Sequence, residues 1–122
     1  MTTVVDPLGT PVPIFNRSGT AIVRLTGAGT SSTSGPVIPA ICGRVVALID
    51  CTAGNYASQL SPNAEIGDIA EVYVDRVSTM GGEVFAPSGE TINSQSTPSS
   101  IGISAGGGVV FRKVSATEWM SR

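Results

Sequence analysis

The chain has 122 residues, of which 41% are hydrophobic and 13% charged, with a formal net charge of −2 and no histidine. That length fits one domain with an arm attached. The missing histidine removes Ser-His-Asp and Cys-His nucleophile systems, and the weakly acidic balance argues against nucleic acid, whose phosphates need clustered Lys and Arg.

The charged share is roughly half that of ordinary soluble domains. Either a neutral Ser/Thr-rich exterior or burial against other subunits accounts for it. Plentiful Val, Ile and Leu beside a single lysine, Lys113, favour the second. No run approaches the roughly 18 to 20 apolar residues of a membrane span. Residues 1–19 lack a basic region followed by an apolar run, so no secretory signal is expected, and assembly in a cytoplasm is. Without that route the Asn16-Arg17-Ser18 sequon is a chance match.

Residues 1–19 contain Pro7, Pro11 and Pro13 with Gly9 and Gly19. Proline fixes φ and pushes its predecessor toward extended backbone. An extended arm is expected, anchored by Val4, Val5, Leu8, Ile14 and Phe15, and either frays as a terminus or packs those side chains on a neighbouring molecule; residues 20–122 form the module. Residues 20–25 read as a short strand. The polar, low-complexity stretch 27–35 reads as a flexible loop. It is not a phosphate cradle, because no Gly-Lys-Ser/Thr and no helical pattern follow it.

Residues 39–51 are the longest apolar stretch, and β-branched Val45, Val46 and Ile49 favour a strand covered on both faces. Cys42 and Cys51 both fall within it. On one extended strand they would stand about 30 Å apart at roughly 3.3 Å per residue, too far for a disulfide. Buried free thiols are expected, with pairing across a subunit interface as the alternative. After a turn at 52–55 and a brief strand or coil at 56–60, residues 66–74 form a strand. Ala70, Val72 and Val74 face its core side.

Residues 77–82 should close a hairpin with Gly81-Gly82 at its tip, and 83–86 its return strand. Pro87-Ser88-Gly89 turns the chain. Ile101 and Ile103 alternate with small residues, and Gly106-Gly107-Gly108 supplies another reversal. Val109 and Phe111 share a face that Val114 leaves, which suggests a bulge near Arg112-Lys113. That basic pair reads as a solvated strand tip or a subunit contact. Trp119 should plug the open end of the core. The expected interior is Val46, Leu48, Val72, Val74, Ile101, Ile103, Phe111 and Trp119. The pattern is all-β: about eight short strands in a compact antiparallel sandwich or barrel with an extended N-terminal arm.

Chemistry is sparse. Asp68 and Glu71 face opposite sides of their strand, so Asp68, Glu71 and Asp75 read as solvated charges rather than a calcium cage. Glu83 and Glu90 could in principle pair as in a glycoside hydrolase, but nothing fixes their separation and so short a chain has little room for a deep substrate cleft. Tyr56, Tyr73 and Trp119 are candidates for a sugar-stacking platform, with core packing as the simpler account. No cofactor is implied.

Three ordered motifs stand out: Gly67-Asp68-Ile69-Ala70-Glu71-Val72, Pro87-Ser88-Gly89-Glu90-Thr91-Ile92-Asn93, and 111–119 ending Val114-Ser115-Ala116-Thr117-Glu118-Trp119. Their order and spacing resemble structural proteins of tailed bacteriophages, in which a Gly-Asp-hydrophobic strand leads into a hairpin. The resemblance implies a virion component of the capsid decoration (cement) or head-fibre type, commonly a trimeric β-structure. With one compact module and no shaft repeat, the size suits a decoration protein on the head lattice. The expectation is a non-enzymatic homotrimer on the capsid surface. It binds the major capsid protein through Val4, Val5, Leu8, Ile14 and Phe15, and neither nucleic acid nor membrane. A receptor- or glycan-binding module of a head or tail fibre is the alternative.

Overall fold

The computed structural model describes residues 20–41, 43–78 and 80–122. They carry nine strands and no helix, so the all-β class stands. The first part of the chain steps alternately between two sheets. Strand β1 (Ala21–Thr26) pairs in parallel with β2 (Arg44–Asp50), and β2 in parallel with β4 (Ile69–Val74). Between them, β3 (Ala57–Gln59) pairs in parallel with β5 (Gly82–Phe85), and Val37 forms a parallel bridge to Gln59. Each passage through one sheet and then the other makes one coil, and successive coils lie in register. This is a short solenoid-like stack rather than the antiparallel sandwich that strand rhythm suggests.

The rest of the chain closes the stack with antiparallel strands. Strand β7 (Ser100–Ile103) pairs with β5, and β8 (Gly108–Lys113) with β4. Strand β9 (Glu118–Ser121) pairs antiparallel with β8, and β6 (Thr91–Ile92) lies parallel beside β9. The sheets therefore have orders β1-β2-β4-β8-β9-β6 and β3-β5-β7. The expected hairpin at residues 77–82 does not form, because β4 and β5 belong to different sheets. The expected bulge is absent as well: Phe111, Arg112 and Lys113 pair without interruption with Ser121, Met120 and Trp119. Val114 lies beyond the strand and so owes nothing to its alternation.

The interior is built of ladders across the coils. Ala21, Val45, Ala70 and Phe111 form one inward row, and Val23, Ala47, Val72 and Val109 the next. Small and large residues alternate along the first row, which lets neighbouring coils interdigitate at interior packing density. On the opposite side Ile38, Leu60 and Ala86 are buried. Their backbones continue the ladder, with Ile38 N donating to Gln59 O at 2.7 Å and Leu60 N to Phe85 O at 2.9 Å. Full burial of each Val, Ile or Leu contributes about 1.5–3 kcal/mol relative to exposure. Trp119, 2% exposed, closes the interior beside Ile38, Leu60, Ala64 and Ala70, where only about 10 Å³ stays empty.

The expected interior needs one correction. Val72, Val74, Ile103, Phe111 and Trp119 are buried and Ile101 packs half-buried against them, but Val46 and Leu48 are half-buried on the other face of β2. Val45, Ala47 and Ile49 point inward instead. A run apolar at nearly every position carries no alternation, so its faces cannot be assigned without neighbours.

Coil spacing is tight where the chain crosses between sheets. A Cβ on Gly35 would meet Ala57 O at 2.1 Å. Only glycine lets the loop after β1 lie against the next coil, and Gln59 Nε2 fixes it there by donating to Gly35 O at 2.9 Å. Further on, Asn93 and Ser94 adopt φ of 52° and 58°. This left-handed turn is held by β9: Asn93 Nδ2 donates to Ser121 Oγ at 2.7 Å, and Ser94 N to Glu118 Oε2 at 2.6 Å.

Candidate functional site

The outer face of the large sheet is the most distinctive surface. Strand alternation that sends Ala21, Val23 and Leu25 inward sends Ile22, Arg24 and Thr26 outward. Register then sets Ile22, Val46, Glu71 and Val110 in one row, and Arg24, Leu48, Tyr73 and Gly108 in the next. Arg44, Ile69, Arg112 and Met120 make a third. Ile22 is 72% exposed, Met120 47% and Tyr73 39%. Around them Val46, Leu48, Ile69 and Val110 are half-buried.

Glycine shapes this face at Gly108, where a Cβ would meet Tyr73 Cδ1 at 2.3 Å. The Tyr73 ring lies across the bare backbone of β8, which flattens the surface, and its hydroxyl donates to Glu71 Oε2 at 3.1 Å.

Ion pairs fix several of the charges. Arg24 donates to both oxygens of Asp50, at 3.1 and 2.9 Å, and to Asp75 Oδ2 at 2.6 Å. The Asp50 hydrogen bond foremost, and then its charge, raises the Arg24 pKa above its ordinary value. The Val77 backbone N–H is the main influence holding the Asp75 carboxyl below the usual range, with Arg24 assisting. Arg44 pairs with Glu71. Arg112 and Arg122 differ: they flank Val110 and Met120 around a cleft of about 220 Å³, and neither has a carboxylate partner among the described residues. The face thus sets apolar side chains around the internal Arg44–Glu71 ion pair and leaves two arginines without carboxylate partners among the described residues near one end, a mixed surface suited to protein contact.

The residues singled out from sequence are not gathered into one site. Val4, Val5, Leu8, Ile14 and Phe15 lie outside the described residues, as does Cys42. Tyr56 packs half-buried against the core, Tyr73 lies on the outer face, and Trp119 is buried, so the three aromatics build no common platform. Glu83 accepts a hydrogen bond from Ser100 Oγ at 2.8 Å, whereas Glu90 is buried against Lys113 and Trp119. Asp68 accepts from Glu65 N at 2.8 Å, and no group of potential metal ligands occurs among the described residues. Cys51 is a buried free thiol whose pKa burial pushes up, which keeps it protonated and unreactive.

Lys113 corrects the reading of Arg112-Lys113 as a solvated tip. Arg112 is exposed, but Lys113 is only 5% exposed and lies inside the fold. The outer face itself was within reach of sequence at β1, where Ile22 falls on the same side as Arg24 and Thr26. Comparison with family models, curated proteins and solved structures finds no match.

Proposed function

We propose that this chain is a non-enzymatic capsid decoration (cement) protein of a tailed bacteriophage, seated as a homotrimer on the head lattice with the major capsid protein as its partner. The observation that carries the reading is the apolar outer face of the six-stranded sheet, with Ile22 72% exposed at one end and Met120 47% exposed toward the other. Covering such a face removes apolar area from water, at about 25 cal/mol per Å². Arg112 and Arg122, without carboxylate partners among the described residues, are available to acidic groups across a contact.

The viral part of the reading comes from the three ordered motifs at 67–72, 87–93 and 111–119. Threefold symmetry multiplies the same contact without any new site. Val4, Val5, Leu8, Ile14 and Phe15 supply the second proposed contact.

Co-sedimentation of the full chain with empty heads of the virus that encodes it tests the proposal, alongside light scattering for oligomeric state. Wild-type protein should pellet with the heads. Ile22→Glu should keep its fold, because the side chain is already in water, and should bind at least tenfold more weakly, a loss of about 1.4 kcal/mol. Wild-type protein that stays in the supernatant, or an Ile22→Glu variant that binds undiminished, would refute it.

A further inference from the structure

A second surface lies on the other side of the fold and is independent of the capsid reading. It is a polar cleft of about 290 Å³ between the loop after β1, strand β3, the turn after β5 and the segment before β7. Four hydroxyl-bearing residues, Ser32, Thr33, Ser88 and Thr97, line it together with Gln59 and Glu90. None of the four hydroxyls hydrogen-bonds to another described residue. Each can therefore donate to one ligand atom and accept from another.

Glu90 differs from the rest because it is fixed. It is 9% exposed. Its Oε1 accepts from Trp119 Nε1 at 2.9 Å and lies 3.1 Å from Lys113 Nζ. With Oε1 occupied inside the fold, Oε2 is the acceptor left for a ligand. A carboxylate already locked by two interior partners loses little side-chain freedom when it binds.

The chemistry of the walls narrows the ligand. No lysine or arginine lines the cleft. A phosphate or a carboxylate would therefore enter beside Glu90 with no cation in the walls to meet it. The volume is just under the roughly 300 Å³ at which small-molecule pockets begin, enough for one ring and too little for a nucleotide. Paired hydroxyls on a neutral ring are the complement of a fixed carboxylate oxygen set among serine and threonine.

We infer that this cleft binds a neutral sugar ring through adjacent hydroxyls, with Glu90 Oε2 as the fixed acceptor and Ser32, Ser88 and Thr97 as adaptable partners.

Amide chemical shifts of the full chain, titrated with the methyl glycosides of glucose, galactose and mannose, test this. Methyl glucuronide serves as the acidic control, and Ser88→Trp and Thr33→Arg as cleft-filling variants from two different loops. At least one neutral glycoside should shift Ser32, Ser88, Gly89 and Thr97 saturably, in the roughly millimolar range of weak single-site ligands. The glucuronide should bind at least tenfold more weakly. Whichever variants retain the wild-type spectrum elsewhere should lose binding by at least tenfold; both sites are surface positions, so at least one should fold. Absence of shifts with all three neutral glycosides up to about 50 mM, equal binding of the glucuronide, or undiminished binding by a folded cleft-filling variant would overturn the assignment.

Discussion

Replacing Lys113 with methionine tests the interior most directly. Lys113 is 5% exposed, with Nζ 3.1 Å from Glu90 Oε1 and 5.8 Å from the centroid of the Trp119 ring. Methionine keeps most of the aliphatic stem and removes the charge. Glu90 then remains a buried carboxylate with one neutral donor, Trp119 Nε1 at 2.9 Å. Removing one partner of a buried pair costs about 3–5 kcal/mol, because the other charge is stranded. Adding Glu90→Gln removes that stranded charge while its amide oxygen still accepts from Trp119. The double variant should therefore recover about 2–3 kcal/mol of the loss. Urea melts followed by fluorescence of Trp119, the only tryptophan, would read both. With a urea slope of about 1–3 kcal/mol/M, the single variant should move its midpoint down by at least about 1 M. A shift under about 0.3 M, or a double variant less stable than the single one, would refute the view that Lys113 neutralises Glu90 inside the fold.

Other expectations follow from the same geometry. Gly35→Ala should destabilise by more than about 2 kcal/mol, since its Cβ would meet backbone. Gly102→Ala, where nothing lies within 4 Å, should stay within about 1 kcal/mol of wild type. Thermal melts of the pair check that contrast. On β2, Ile49→Ala should cost about 2–5 kcal/mol and Leu48→Ala clearly less, because Ile49 is 1% exposed and Leu48 lies on the outer face. Equal costs would mean that the two faces are misassigned. Asp75 and Glu118 both have folded pKa values held below the ordinary range, Glu118 chiefly by the Thr91 hydroxyl and then by Ser94 N–H. Their stabilisation is full above the usual carboxylate range and is lost as pH falls through the depressed values. Melting temperature should be nearly level from neutral pH to about 5 and fall below about 4. Glu118→Gln should flatten that fall, and an unchanged acid profile would show that Glu118 carries none of it.

Strand content was legible because it is written locally. Residues 69–74 alternate, so Ala70, Val72 and Val74 could be placed inside from spacing alone, and all three are buried. Glycine, proline and asparagine marked the reversals, and the segments at 20–25 and 56–60 became β1 and β3 with shifts of a residue or so. Where alternation is missing, sequence does not choose a face: residues 45–49 are apolar throughout, and Val45, Ala47 and Ile49 are buried rather than the expected Val46 and Leu48. Lys113 misled for a different reason. A lysine is ordinarily solvated, and what makes its burial possible is a carboxylate on a distant turn that no local pattern connects to it.

Short strand-forming runs, turn residues between them and the lack of any helical repeat were enough to make this an all-β chain without histidine chemistry. Those properties depend on each residue and its immediate neighbours. How the strands stack was decided only in three dimensions. An antiparallel sandwich and a coil of parallel strands ask for the same local sequence, and the choice rests on which distant rows interdigitate, as Ala21, Val45 and Ala70 do. The same stacking brought Ile22, Tyr73 and Met120 onto one open face and set Glu90 between Lys113 and a cleft, because side chains far apart in the chain become neighbours only once the coils are in register.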